Sequence, residues 1–183
     1  MGATVNKPPR MASDEFIAWA MQQPEGQRYE LVEGEVVGMA PERIVHTRAK
    51  GLMFAPLRGA IAAAGLPCEA LVDGATVRVD DQTTYEPDAM VRCGGPMDEN
   101  DITVPDPMIV VDVISPSSHR IDTATKLADY FRIPTVRHYL IVRTENLCVI
   151  HHRRDDAGAI ATRVIVNGPI DLDPPGFSIT LKP

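Results

Sequence analysis

Cysteine is scarce in this chain, and the three present, Cys68, Cys93 and Cys148, are far apart with no C-x-x-C among them. That scatter argues against a zinc site and predicts reduced core thiols of a cytosolic protein rather than a disulfide framework. Long apolar runs are absent too, and none reaches the roughly 20 residues that a membrane-spanning helix needs. The opening MGATVNKPPR has no apolar segment of the signal-peptide kind, and residues 1–12 read as a loose tail. No P-loop or dinucleotide fingerprint occurs. Positive charge is in deficit: 18 Lys and Arg stand against 25 Asp and Glu, a net −7. That balance argues against a general nucleic-acid coat, but not against a local basic face or a cation held by clustered acids.

What remains is an ordinary globular composition, 44% hydrophobic and 23% charged over 183 residues, enough for one domain over 13–183. SDEFIAWAMQ (13–22) reads as a short amphipathic helix with Ser13 as its N-cap, and Trp19 and Met21 as core. RYELVEGEVVGMA reads as a hairpin about Glu33-Gly34, and LVDGATVRV (71–79) as a second one about Asp73-Gly74. Between them a long helix starts near Pro41 and stops at Gly65, with Gly51 and Pro56 as places to kink. Arg43, His46 and Lys50 recur along it as a basic stripe, either a solvated face or a phosphate contact.

Strand patterns follow at TTYEPDAMVRC and PDPMIVVDVIS, then a helix over HRIDTATKLADYFRI with Ile121, Ala124, Leu127, Ala128 and Phe131 as its apolar face. VRHYLIVR and NLCVIHHRR are further strands, and AIATRVIVN and GFSITLK complete the chain as edge strands. His151, His152, Arg153 and Arg154 read as a solvated strand end, with phosphate contact as the alternative. The order implies an α/β or α+β domain with a mixed central sheet flanked by helices.

The informative anomaly is Asp112, a carboxylate inside the run PMIVVDVIS. Alternation puts Met108, Val110, Asp112 and Ile114 on one face of the strand. Asp88 opens another apolar strand directly after Pro87. Taken singly, Asp88 suits a turn and Asp112 could pair with an arginine. If the strands are neighbours, the two acids meet, and a shared hard cation resolves their repulsion. Lys126 lies opposite the apolar face of the following helix, near Asp122, Asp129 and Tyr130. It is either a solvent lysine paired with Asp122 or the ammonium of a phosphodiester-hydrolysing site. Ser115, Ser117 and Ser118 suit a turn and a helix cap better than a nucleophile.

These residues in order, RYELVEGEVVGMAP, a histidine opening a helix, EPDAMV, then VVDVISPSSHRIDTATKLADYFRIPTVRHYLIV, resemble the Uma-type restriction endonuclease family of the PD-(D/E)XK nuclease superfamily. The resemblance runs from Glu15 to Ile150 and is most specific from Asp112 to Tyr139. It implies a restriction-endonuclease-like fold and a Mg²⁺- or Mn²⁺-dependent endonuclease acting on DNA. Asp88 and Asp112 would hold the metal, with the Val113 carbonyl as a further ligand. The family's usual lysine seat is Ile114 here, so Lys126 would act from the next helix. Glu35 and His46 match accessory positions, and Arg43 and Lys50 are candidates for nucleic-acid contact. Asp112 stands where the family usually has Glu, one methylene longer. A cytoplasmic homodimer is expected, and the alternative is an inactive nuclease-fold module that binds nucleic acid or protein.

Overall fold

The structure, a computed structural model, describes residues 10–114 and 123–181. The tail as far as residue 9, the serine turn at 115–118, and Ile121 and Asp122 lie outside the described residues. Helix α1 (Ser13–Ala20) leads into the hairpin β1 (Tyr29–Val32) and β2 (Glu35–Gly38), whose turn puts Glu33 and Gly34 at positive φ. Helix α2 (Ile44–Ala64) follows, then β3 (Cys68–Val72), β4 (Val77–Arg78), β5 (Thr84–Tyr85), β6 (Ala89–Cys93) and β7 (Pro107–Ile114). Helix α3 (Thr123–Tyr130) crosses to β8 (His138–Arg143), β9 (Cys148–Arg154) and β10 (Ile160–Ile165). A ribbon of β11 (Gly168–Leu172) and β12 (Phe177–Leu181) closes the chain.

The main sheet has the order β10-β9-β8-β7-β6-β3, and a smaller sheet has β2-β1-β5-β4. In the main sheet only β7 and β8 run parallel, which the α3 crossover requires. One face of this sheet, with Val91, Ile109, Val111, Val113 and Leu140, packs on Met53, Leu57 and Ile61 of α2 and on the ribbon. The other face, with Met90, Val110, Tyr139 and Ile141, packs on Tyr85 and on Tyr130 and Phe131 at the end of α3. Each fully buried large side chain contributes about 1.5–3 kcal/mol. The alternation expected along β7 holds from Ile109 onward. Met108 instead joins the α2 side, beside a register shift opposite Val91 and Arg92.

Several expectations are corrected. Ala12, not Ser13, takes the N-cap place of α1, and the Glu15 carboxylate accepts from its N–H at 3.0 Å. Ser13 is buried, where its hydroxyl donates to the Asp80 carbonyl (2.7 Å) and accepts from Thr84 (3.0 Å). Trp19 is half-buried against Phe16 and Tyr29, but Met21 is 68% exposed because α1 ends before it. Asp73-Gly74 does turn the chain, yet β3 and β4 do not pair: β3 joins β6 in the main sheet and β4 joins β5 in the small one. Helix α2 starts at Ile44 rather than near Pro41, runs through Pro56, and stops at Gly65 in the left-handed region. Strand β12 belongs to the ribbon rather than to an edge of either larger sheet.

Cys68 and Cys93 are register partners across β3 and β6 and form a disulfide, so the expectation of reduced thiols holds only for the buried Cys148. The strand end at 151–154 is not a solvated terminus. His151 and His152 are buried, and the Arg154 guanidinium donates to the carbonyls of Phe131 (2.8 Å), Ile133 (2.8 Å) and Pro134 (2.7 Å). Among the described residues, no helix is long and apolar enough to cross a membrane.

Candidate active site

Strands β6 and β7 are antiparallel neighbours, and Ala89 pairs with Val111. The next step of that ladder sets Asp88 opposite Asp112, on the side of the sheet that faces α3 and the small sheet. Both carboxylates line a cleft of ≈ 240 Å³ together with Glu30, Glu42, His46 and Lys126. The cleft lies at the C-terminal end of β7, where strand ends of open α/β sheets commonly form sites.

Asp88 is held at both oxygens. The Val113 N–H donates to Oδ2 at 2.5 Å and His46 Nε2 lies 3.2 Å from the same atom, while Lys50 Nζ is 2.8 Å from Oδ1. Burial opposes ionisation here, but the His46 contact, Lys50 and the Val113 N–H outweigh it and hold the carboxyl below its ordinary value. Asp112 is treated differently. Its Oδ2 accepts from the Tyr139 hydroxyl at 2.8 Å and lies 3.7 Å from Lys126 Nζ. Burial dominates, Lys126 opposes it, Asp88 and Glu30 add to it, and the carboxyl is pushed up to about 6.

Lys126 turns inward. Its ammonium donates to Glu30 Oε1 at 2.9 Å and sits 4.7 Å from the centre of the Tyr85 ring. Burial works against the charge, but Asp112 and Glu30 outweigh it and raise the lysine above its ordinary value. Helix α3 is therefore rotated from its expected setting. Ala124 and Ala128 are exposed, while Lys126, Leu127 and Tyr130 face inward. The Tyr85 hydroxyl, donating to Asp129 Oδ2 at 2.6 Å, pins that orientation. The expected pairing partner Asp122 lies outside the described residues.

The basic stripe on α2 splits. Arg43 is exposed at the N-cap, but His46 and Lys50 point into the cleft region, and Lys50 is only 2% exposed. Lys50 donates to Asp73 (2.9 Å), Asp88 (2.8 Å) and Glu42, which uses all three of its N–H groups. In this arrangement its donors are directed at carboxylates rather than toward a phosphate. The hairpin acid that lines the cleft is Glu30 on β1, whereas Glu35 stands in the last hairpin pair, opposite Val32. Ile114, at the position where the family resemblance implies a lysine, lines the same cleft as Asp112.

Glu30, Glu42, Asp73, Glu86 and Tyr139 escaped the sequence reading as site residues. Glu30 carried the same signal as Asp112, an acid between apolar strand residues in YELV. Its Oε1 also accepts the Glu86 N–H at 3.1 Å. Counting formal charges, Glu30, Glu42, Asp73, Glu86, Asp88 and Asp112 face Arg28, Lys50 and Lys126, a surplus of three negatives. The ligand atoms of Glu42, His46 and Asp88 all lie within 4.8 Å of one another. Carboxylates with one imidazole suit a hard or borderline divalent ion, and a positive charge near Asp112 would relieve what raises its carboxyl. The residues present therefore fit a divalent cation.

The family model Uma2, described as "Putative restriction endonuclease", matches residues 13–182. The chain belongs to the Uma2 family. It is 22% identical over 179 residues to the uncharacterized protein slr1290 of Synechocystis sp., covering 94% of this chain and 90% of that one. A crystal structure described as a putative nuclease of DUF820 from Anabaena variabilis shares the fold. Its TM-score is 0.63 at 15% identity, over 84% of this chain and 83% of that one. Membership in Uma2 and the shared fold bear out the family and the α+β architecture read from the sequence. They support a nuclease function.

Proposed function

We propose that this Uma2 protein is a metal-dependent endonuclease that hydrolyses DNA phosphodiesters. The observation that carries the reading is the convergence of Asp88, Asp112 and Lys126 on one cleft, with an acid surplus around them. Asp88 and Asp112 hold Mg²⁺ or Mn²⁺, with His46, Glu42 and the Val113 carbonyl as further donors. When bound, the cation supplies charge neutralisation at the phosphate and an acidified water. Lys126 remains an ammonium, so it acts by stabilising negative charge and orienting the nucleophile rather than as a base. Glu30 and Tyr85 keep it there. Arg43, exposed at the start of α2, contacts the DNA backbone. The proposal includes a single domain over 13–183, a homodimer that brings one cleft to each strand, and a cytoplasmic site of action.

The test is incubation of the full chain with plasmid, single-stranded DNA and RNA in Mg²⁺, Mn²⁺ or EDTA. Metal-dependent DNA cleavage that drops at least ~100-fold in Asp88→Ala and Lys126→Ala is expected. Cleavage by none of these mixtures refutes the enzyme reading and favours a binding module. Undiminished activity in Lys126→Ala removes that lysine from the mechanism.

A further inference from the structure

Lys50 is the buried cation for which the reading above has no task. Its side chain is 3% exposed, and its ammonium lies among Glu42, Asp73 and Asp88. Two of those acids belong to the Glu42–His46–Asp88 group whose ligand atoms converge. The oxygens that would receive a divalent ion are thus already in contact with a positive charge. Acids of the cluster are also braced. Arg28 holds Asp73 Oδ1 at 2.5 Å, Glu86 Oε1 at 2.6 Å and Glu42 Oε1 at 3.3 Å, and the Gly74 N–H donates to Glu86 Oε1 at 2.9 Å. Asp88 itself is fixed from its other side by the Val113 N–H. The cluster is therefore not free to turn as a unit toward an incoming ion.

We infer that Lys50 is the resident counter-ion of this acid cluster: it orients Asp88 before a divalent cation arrives, and it competes with that cation for Asp88 and Glu42. The inference rests on the metal-binding part of the proposed function. Two unit charges of like sign a few ångströms apart in a partly buried site repel strongly. Replacing the ammonium by a neutral amide, one bond shorter but still a hydrogen-bond donor, then favours the divalent ion. An ordinary surface lysine would have no such effect.

Calorimetric titration of the full chain with MnCl₂ and with MgCl₂ tests this in wild type, Lys50→Gln and Lys50→Arg. Lys50→Gln is expected to bind the ion roughly tenfold more tightly, and Lys50→Arg about as wild type. Unchanged or weaker binding by folded Lys50→Gln overturns the inference. A second measurement needs no altered binding site. In wild type labelled with ¹⁵N-lysine, the Lys50 ammonium resonance, assigned by its loss in Lys50→Arg, should move with Mg²⁺ in step with the heat. A resonance that stays put while the heat saturates overturns it. If no form binds either ion, the metal reading fails on its own, and the counter-ion role is decided by melting in chelator. Lys50→Gln should then melt below wild type, and Glu42→Gln added to it should restore part of the loss. Equal melting of Lys50→Gln and wild type refutes the role.

Discussion

Asp112→Asn should make the metal-free protein more stable at neutral pH, and the structure gives the size. The Asp112 carboxyl has an ordinary value of 3.8 in the unfolded chain and about 6 in the fold, because burial and the neighbouring Asp88 and Glu30 outweigh Lys126. Between those values the native state binds more protons than the unfolded one, so stability falls as pH rises through the window. Above about pH 6 the full cost is present. A difference of about two pKa units corresponds to ~3 kcal/mol. Asparagine removes the charge, keeps an acceptor for the Tyr139 hydroxyl, and takes from Lys126 only the longer of its two carboxylate contacts, 3.7 Å against 2.9 Å to Glu30. The net gain at about pH 8 is then ~2–3 kcal/mol, or ~5–10 °C in melting temperature for a chain of this length. Thermal melts in EDTA across about pH 4–8 measure it. The gain should shrink to well under ~1 kcal/mol near pH 4 and vanish only below the unfolded value of 3.8, where the aspartate is protonated in both states. A variant no more stable than wild type at about pH 8, or equally stabilised at pH 4, refutes the reasoning. Adding Mn²⁺ should then stabilise wild type and not the variant, reversing the order.

The buried His138–His151 pair gives the opposite pH dependence. His138 Nε2 donates to the Pro174 carbonyl (2.8 Å), so its Nδ1 accepts from His151 Nε2–H (2.9 Å), and burial pushes both rings down to about 4. Unfolded imidazoles take up protons near 6.5, so stability is full above that pH and falls by ~3 kcal/mol for each ring as pH drops toward 4. Urea midpoints over that range check this, and His151→Gln should flatten the slope. Arg154→Ala leaves the carbonyls of Phe131, Ile133 and Pro134 without their donor and should cost at least ~3 kcal/mol in urea unfolding; a loss under ~1 kcal/mol refutes it. Tyr85→Phe keeps the ring under Lys126 and loses the bond to Asp129 that helps to set α3, so it should cost ~1–2 kcal/mol in unfolding and lower cleavage less than loss of the ring does. Tyr85→Leu removes the seat of the ammonium and the ring packed on Tyr130, so it should cost more stability than Tyr85→Phe, ~2–4 kcal/mol, and lower cleavage at least ~10-fold at a temperature where it stays folded.

Where the sequence was legible, a local rule agreed with the fold. Alternation along 109–114 placed Asp112 on the correct face, because β7 is central and paired on both sides. The Glu33-Gly34 turn was readable because both residues take positive φ and the strands beside it pair only with that register. The same turn chemistry misled at Asp73-Gly74, where the chain changes sheets instead of folding back. A turn signal reports a change of direction and carries no information about the partner of the outgoing strand. The disulfide was hidden for a related reason: Cys68 and Cys93 are 25 residues apart and meet only through the pairing of β3 with β6.

Charged groups on helices were the least legible part of the site, and the cause is physical. A helical wheel assigns faces by hydropathy, so it sends lysine to solvent and alanine to the core. Helix α3 does the reverse, exposing Ala124 and Ala128 and burying Lys126. Burying that ammonium is tolerable only because Glu30, Asp112 and the Tyr85 ring, from three separate strands, are already there to receive it. The same holds on α2 for Lys50 with Glu42, Asp73 and Asp88. An acid inside an apolar strand announces that it needs a partner, whereas a lysine on a polar helix face announces nothing. Ile114 makes the point from the other direction. With an aliphatic side chain at position 114 of β7, the cation beside Asp112 comes from another element, and Tyr85 with Asp129 holds α3 at the angle that supplies it.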